Sequence, residues 1–169
     1  MQIGSRFTIG VHIITALDYF KEMERVNSEF LAGSIGVNPV IVRNVISQLR
    51  EAGIVHTQRG SGGAELTKGL EEITLYDIYQ AVGSVNGEEG LFHFHEQPNP
   101  DCPVGRNIHK VLDQRLLDAQ RAMEAQLKSV TLADIAEDTK QAVRDESNKK
   151  GVLCHEEDSD CQRQQEKEG

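Results

Sequence analysis

Residues 37–66 read VNPVIVRNVISQLREAGIVHTQRGSGGAEL. Asn38 is a favoured helix N-cap, and Pro39 fits the first helical position, where its missing N–H costs nothing. The apolar residues that follow recur at helical spacing and predict one buried stripe: Ile41, Val42, Val45, Ile46 and Leu49. Gly53 predicts the end of this helix. Two short strand-like runs then flank a Gly-rich turn, so the segment predicts a helix followed by a β-hairpin.

The flanking sequence predicts further elements on both sides of this segment. Ahead of it we expect a first helix from Ser5 to about Met23 and a short second helix, capped by Asn27 or Ser28, through Ser34. Strands are expected at residues 54–57 and 64–67. Thr74 and Thr131, each with an Asp three residues later, predict two helix starts, and a long helix is expected from about Arg106 to Ser129.

These elements predict a mainly α-helical fold with a small β-hairpin wing, which is α+β in class. We expect a winged helix-turn-helix domain over residues 1–82, a sensor loop over 83–105, a dimerisation helix with a following short helix over 106–139, and an acidic, disordered tail over 140–169. Leu112, Leu116, Ala119 and Met123 repeat in steps of four and three along the long helix. Such a seam predicts packing against another helix, here that of a second copy.

Composition restricts the function less than the motifs do. The 169-residue chain carries a net charge of -9, and its three cysteines are too few for a disulfide scaffold, so we expect a reduced, cytoplasmic protein. The apolar runs are too short to cross a bilayer, and no membrane partner is expected. The segment up to Gly69 contains seven basic and six acidic residues, whereas the segment from Asp134 onward contains six basic and eleven acidic residues. A near-neutral reading head can bind DNA only where its few cations converge.

The third helix exposes the residue types that read DNA. With its apolar stripe turned inward, the outward residues at its start are Asn38, Pro39, Val40, Arg43, Asn44 and Ser47. N-terminal residues of a recognition helix contact base edges, where Arg pairs with guanine and Asn with adenine. A solvated helix face without a ligand is the alternative for such residues. We expect no enzyme, because no nucleophile has an evident base and no carboxylate pair suggests a catalytic pocket.

The predicted hairpin turn adds a second candidate contact with DNA. Arg59 precedes Gly60, Ser61 and Gly62 on a turn that can approach a narrow groove closely. An Arg side chain in a minor groove gains from the enhanced negative potential there. Arg6, at the start of the first helix, is a candidate phosphate contact. An exposed hairpin whose glycines serve only the backbone is the alternative for the turn.

Residues 1 to about 139 resemble the Rrf-type winged-helix transcriptional regulators, the group of the iron–sulfur regulator IscR, the nitric-oxide sensor NsrR and the cysteine-metabolism repressor CymR. Five short segments carry the resemblance: SRF at residues 5–7, LREAGIV at 49–55, RGSGG at 59–63, ITLYDI at 73–78 and TLAD at 131–134. The resemblance implies a homodimeric transcription factor, in most members a repressor, that binds double-stranded DNA. It implies that Arg59 enters the minor groove and that residues 38–47 read the major groove. Ala64-Glu65 stand where the family usually has Gly-Tyr.

The sensing chemistry departs from the iron–sulfur members of that family. Those members use three cysteines in the loop before the long helix, and this loop offers Cys102 alone. We therefore expect no conventional cluster and no cofactor. Cys102 lies near the start of the long helix, where the helix dipole favours a thiolate, so we expect a redox-sensing thiol, with an inert small residue in a loop as the alternative.

Two other readings remain open at this point. His93, His95 and His109 lie near Cys102 in sequence, and thiolate plus imidazole can bind a transition metal, so a metal or iron–sulfur-dependent regulator is one alternative. A protein-interaction module that does not bind DNA is the other, because the predicted reading head carries little positive charge.

Overall fold

The computed structural model describes residues 4–22, 26–57, 63–83, 91–92 and 95–165. The predicted mainly α-helical fold with a small hairpin is confirmed. In chain order the elements are α1 (Ser5–Tyr19), α2 (Ser28–Ile35), α3 (Pro39–Glu51), β1 (Val55–Thr57), β2 (Ala64–Leu66), a 3-10 turn (Leu70–Glu72), α4 (Leu75–Gly83), α5 (Pro103–Ser129) and α6 (Leu132–Gln165).

The core forms where α1, α3 and α4 pack together. Helix α1 contributes Ile13 and Ile14, both fully buried, and α4 contributes Ile78. Gly10 lets α1 approach α4 closely, because a Cβ atom at this position would lie 2.9 Å from Cγ2 of Ile78. Helix α1 ends at Tyr19, earlier than the expected end near Met23, which lies outside the described residues.

The turn between α2 and α3 is built from local capping interactions. Asn27 caps α2 by accepting a hydrogen bond from the Phe30 N–H at 2.9 Å, and Asn38 caps α3 by accepting one from the Val40 N–H at 2.8 Å. Gly36 ends α2 in the left-handed region with φ of 76°, a conformation that glycine adopts without steric cost. Pro39 occupies the first turn of α3 as expected. These caps fix the direction in which α3 leaves the turn.

One predicted core residue of α3 is exposed. Val42, Val45, Ile46 and Leu49 are buried as expected, but Ile41 is 40% exposed. With about 100° between successive residues, Ile41 lies on the flank of the helix rather than on the stripe centred between Val42 and Val45. The helix therefore presents an apolar side chain to solvent beside its outward face.

The hairpin is a two-stranded antiparallel sheet. Its register pairs Val55 with Leu66, His56 with Glu65 and Thr57 with Ala64. Both strands are one residue shorter than expected on one side, since β1 begins at Val55 and β2 ends at Leu66. Val55 and Ala64 are buried, so the hairpin leans on the core next to the end of α3.

The start of α4 and the start of α6 are joined by backbone hydrogen bonds. The Leu75 N–H donates to the Val130 carbonyl at 3.0 Å, and the Leu132 N–H donates to the Ile73 carbonyl at 2.8 Å. The two predicted caps are confirmed, because Thr74 is bonded to Asp77 and Thr131 to Asp134 in the same pattern. The winged-helix part of the fold is thereby fastened to the junction between the last two helices.

Helix α5 begins at Pro103, three residues before the expected start at Arg106, with Cys102 at its N-cap. Its C-terminal part contacts α4, where the ammonium group of Lys128 lies 4.1 Å from the ring centre of Tyr76. None of the 27 residues of α5 is buried within the single chain.

Helix α6 is longer than the sequence indicates. Its first turns are anchored by Leu132 and Ala136, which are buried, and by Lys140, whose ammonium group lies 2.9 Å from a carboxylate oxygen of Asp18. The backbone then continues as helix to Gln165, past the expected boundary at residue 139 and into the segment 140–169 that the sequence predicts to be a disordered tail. Helix-favouring residues and intrahelical pairs, such as Gln141 with Asp145, replace the apolar period on which the prediction relied.

Within the described residues no single helix is both long and apolar enough to cross a membrane. The pair of α2 and α3 meets the requirement of length and composition only when the two are taken together, and they are bent by 110° at the break between them.

Candidate nucleic-acid interface

The outward face of α3 is exposed to solvent. Val40, Asn44 and Ser47 form a row at i, i+4 and i+7, on the side opposite the buried stripe. Val40 is 54% exposed and Asn44 is exposed, whereas Ser47 is half-buried. Arg43 lies on one flank of this row and Ile41 on the other, and both are exposed. The predicted residues of α3 are therefore presented together on one surface.

The side chain of Asn38 caps the N-terminus of α3. Its side-chain oxygen accepts the hydrogen bond from the Val40 N–H that caps α3. A bidentate contact with adenine needs both the amide oxygen and the amide nitrogen. Asn38 is exposed, but its oxygen is already committed to the helix start, so it is a weaker candidate for base reading than Asn44.

Arg43 has an acidic partner that the sequence did not reveal. Its guanidinium forms an ion pair with Glu29 of α2, and its Nε–H donates to the Ser28 hydroxyl at 3.2 Å. The hydrogen bond from Arg43 lowers the pKa of the Glu29 carboxyl, which therefore stays ionised at neutral pH. Both side chains are exposed. A surface pair of this kind contributes little to stability, so the guanidinium can exchange Glu29 for a phosphate or a guanine edge at small cost.

The remaining polar residues of α3 differ in how far they are engaged. The Ser47 hydroxyl donates to the Glu51 carboxylate at 3.2 Å and accepts from the Arg50 guanidinium at 3.3 Å. Asn44 makes no hydrogen bond within the part of the chain that the structure describes. Its amide oxygen and nitrogen are thus both available for a bidentate contact with a base.

The tip of the hairpin lies outside the described residues. Arg59, Gly60, Ser61 and Gly62 belong to residues 58–62, for which no position is given. The two strands that carry this turn are in place beside α3, and Thr67 secures their base by donating to the Ile54 carbonyl at 2.9 Å. The expected minor-groove role of Arg59 stays a prediction.

Arg6 lies in the first turn of α1 and is exposed. It forms no ion pair among the residues that have described positions. Its guanidinium is accordingly available to a phosphate group, as the sequence suggested, and this contact also stays a prediction.

Cys102 occupies a position that stabilises its thiolate. It is the exposed N-cap residue of α5, with Pro103 next in the chain. The nearby backbone N–H groups of Gly105, and then of Val104, lower the pKa of the Cys102 thiol. The amide groups at a helix start point outward and favour a negative charge, which is the physical cause of this shift.

The histidines near Cys102 are engaged with the protein itself. The Nδ1 atom of His109 lies 2.9 Å from a carboxylate oxygen of Asp113, and its Nε2 atom lies 2.9 Å from the His95 carbonyl oxygen. The hydrogen bond with Asp113 raises the pKa of His109. His93 lies outside the described residues. Among the residues with described positions, no three His, Cys, Asp or Glu side chains converge as metal ligands.

The predicted dimerisation seam lies along one side of α5. Leu112, Leu116 and Met123 are half-buried, and Ala119 is exposed. A helix with an apolar ridge and no buried residue leaves that ridge in partial contact with water. A second helix packed on this ridge would remove that apolar area from solvent.

Comparison with known proteins gives consistent matches over most of the chain. The sequence model of the Rrf2 family, described as iron-dependent transcriptional regulator, matches residues 3–138. The chain is 41% identical over 133 residues to YwnA of Bacillus subtilis (strain 168), described as a helix-turn-helix-type transcriptional regulator, and the match covers 79% of this chain and 96% of that relative.

Two solved structures show the same arrangement of elements. A transcriptional regulator from Lactobacillus plantarum is similar with a TM-score of 0.67 at 27% identity, over 86% of this chain and 98% of that one. CymR, the global cysteine regulator of B. subtilis, is similar with a TM-score of 0.58 at 23% identity, over 81% of this chain and 97% of that one, which concerns the fold alone. The family match extends from the start of α1 into α6.

Proposed function

Because this chain belongs to the Rrf2 family of transcriptional regulators and has their winged-helix DNA-binding fold, we propose that it acts in the cytoplasm as a homodimeric, sequence-specific repressor. The observation that carries the proposal is the outward face of α3. It exposes Val40, Arg43 and Asn44 side by side on a helix whose opposite side is fixed in the core. Such a helix can enter a major groove without unfolding or rearranging its support.

Dimerisation is proposed from the surface of α5. Its apolar ridge is only partly buried by the single chain, and two such ridges crossing one another would bury both more fully. A twofold pair would set two copies of α3 apart at a fixed distance and would bind a site with two related halves. The Leu112–Met123 ridge is thus the proposed contact between subunits.

DNA binding is tested most directly with the protein's own upstream region. We expect fluorescence anisotropy to show at least tenfold tighter binding to a duplex from that region than to random DNA at moderate salt, with affinity falling as salt rises. Arg59→Ala should weaken binding to both duplexes, because a minor-groove cation contributes on any sequence. Arg121→Ala, which removes an exposed α5 cation paired with Asp118, is the matched control and should change neither affinity.

The same binding experiment can also contradict the proposed DNA binding. Absence of preference for any genomic or selected duplex, together with salt-insensitive capture of one protein partner, would instead support the protein-interaction module. The near balance of charge in the predicted reading head keeps that second candidate in the experiment.

We further propose that Cys102 makes the regulator responsive to thiol oxidation. Its exposure and lowered pKa support this role, because the thiolate is the form that reacts with oxidants and alkylating agents. Oxidation at the start of α5 would alter the region where the proposed subunit contact begins. Oxidised protein should therefore differ from reduced protein in operator affinity, and Cys102→Ser should abolish that difference.

The reactivity of Cys102 gives a pH-dependent prediction. Since the folded protein lowers the thiol pKa, the midpoint of the alkylation rate against pH should lie below about 8.5, the value for an unperturbed cysteine. A Cys154→Ser/Cys161→Ser variant leaves Cys102 as the reacting group. The same variant unfolded in urea is the control, and its midpoint should return to the unperturbed value. Equal midpoints in the folded and unfolded protein would remove the basis for a sensor thiol.

The described residues do not fit an iron site, although the family description mentions iron. Iron–sulfur clusters are held mainly by cysteine thiolates, and the loop before α5 supplies one cysteine. His109, the nearest described histidine on α5, has both ring nitrogens within hydrogen-bond distance of oxygen atoms of the protein. We therefore assign no step of the proposed function to a metal.

A further inference from the structure

The outermost point at the start of α3 is apolar. Val40 follows Pro39 in the first turn, points away from the buried stripe and is 54% exposed. Among the residues that the structure describes, Val42 and Val45 of the same helix are by contrast fully buried. On a helix that enters a major groove, a residue in this position is turned toward the base edges.

Two polar residues near Val40, Asn38 and Arg43, have partners within the chain. Asn38 uses its oxygen to cap the helix, and Arg43 is held toward Glu29 on the flank of α3. Ile41, on the other flank, extends the apolar surface with a side chain that is 40% exposed. The first turn of α3 therefore offers a small apolar surface, and the exposed polar side chains of Arg43 and Asn44 follow about one turn further along the helix.

The edges of base pairs in the major groove carry one apolar group, the C5-methyl of thymine. We propose that Val40 reads a thymine methyl group in each half of the operator. This inference rests on the proposed DNA binding and adds the base that the helix start selects. Contact between Val40 and the methyl group removes apolar surface of both from water, and the other three bases offer no equivalent surface at that position.

The test removes the methyl group from the DNA without changing base pairing. The tightest-binding duplex, taken from the upstream region or selected from random sequences, is prepared with each thymine replaced in turn by deoxyuridine. Wild-type protein should lose affinity about threefold to tenfold at one position per half-site and remain nearly unchanged elsewhere. Fluorescence anisotropy at fixed salt gives each dissociation constant.

The variant Val40→Ala tests whether the effect of the thymine methyl group depends on this side chain. Val40→Ala should bind the thymine duplex about as weakly as wild type binds the sensitive deoxyuridine duplex, and it should lose no further affinity when the methyl group is removed. Because Val40 is exposed, its truncation should leave the thermal midpoint unchanged. Val104→Ala, which shortens a valine that is 70% exposed at the start of α5, is the matched control and should retain the wild-type response to deoxyuridine.

The outcomes separate this inference from the function on which it depends. If a duplex is bound specifically but no deoxyuridine position weakens wild type, or if Val40→Ala loses affinity equally on both duplexes, thymine reading by Val40 is wrong while sequence-specific binding stands. If no duplex is preferred over random DNA, both the inference and the proposed function are overturned.

Discussion

Leu116→Glu should convert the protein into a monomer of 18.8 kDa and lower operator affinity by about 100-fold or more. Leu116 lies in the middle of the α5 ridge, where a second copy of the helix would exclude water. A carboxylate placed in an apolar contact loses its water, and burying an unpaired charge costs several kcal/mol. Without the dimer each subunit binds one half-site alone and loses the effective concentration that its partner supplies.

Sedimentation equilibrium and anisotropy measure the two expected effects of this change. Leu117→Glu is the matched control, because Leu117 is the next residue on α5, is 41% exposed and lies off the ridge. That variant introduces the same charge and should remain a dimer with nearly unchanged affinity. A Leu116→Glu protein that stays dimeric and binds normally would show that the Leu112–Met123 ridge is not the subunit contact.

Leu132→Ala should lower the free energy of unfolding by about 2–5 kcal/mol, a large share of the stability of a typical domain. Leu132 is fully buried, and its N–H donates to Ile73 at the junction between α4 and α6. Truncation would leave a cavity where the last helix enters the core. Urea unfolding followed by circular dichroism, at a fixed protein concentration, measures the loss.

A surface leucine provides the comparison for this second change. Leu117→Ala removes the same atoms from an exposed site on α5 and should change the free energy of unfolding by less than about 1 kcal/mol. A Leu132→Ala protein that unfolds within that same margin would mean that the start of α6 is not part of the cooperative core.

Local signals allowed most of the fold to be predicted. The caps at Asn27 and Asn38 and the Thr–Asp pairs at residues 74 and 131 are confirmed, because each depends on groups three residues apart or fewer. The family resemblance drawn from five short segments is confirmed by the family match over residues 3–138. Apolar periodicity was less reliable at its edges, where Ile41 fits the helical spacing and yet lies on an exposed flank.

The remaining features depend on contacts or propensities that the apolar pattern does not contain. Arg43 and Glu29 are fourteen residues apart in sequence, and only the angle between α2 and α3 brings them together. The continuation of α6 beyond residue 139 relies on polar intrahelical pairs, which a search for apolar spacing misses. The roles of the α3 residues, of Arg59 and of Cys102 in binding and sensing stay predictions that the experiments above address.

The hydrogen-bonded junction between the starts of α4 and α6 couples any tilt of α5 to a movement of the winged-helix domain. Because the junction ties the wing-bearing half of each subunit to the end of α5, the two cannot turn independently without breaking backbone bonds. From the middle of the Leu112–Met123 ridge about 12 residues of α5 remain before Ser129, which is about 18 Å at about 1.5 Å per residue, so tilting the helix there by about 11° moves its attached end by about 3.4 Å. That displacement is close to the rise of one base pair, about 3.4 Å. A small change in the angle at which two α5 helices cross would therefore be enough to alter the spacing between the two copies of α3, so that it no longer matches the helical repeat of DNA.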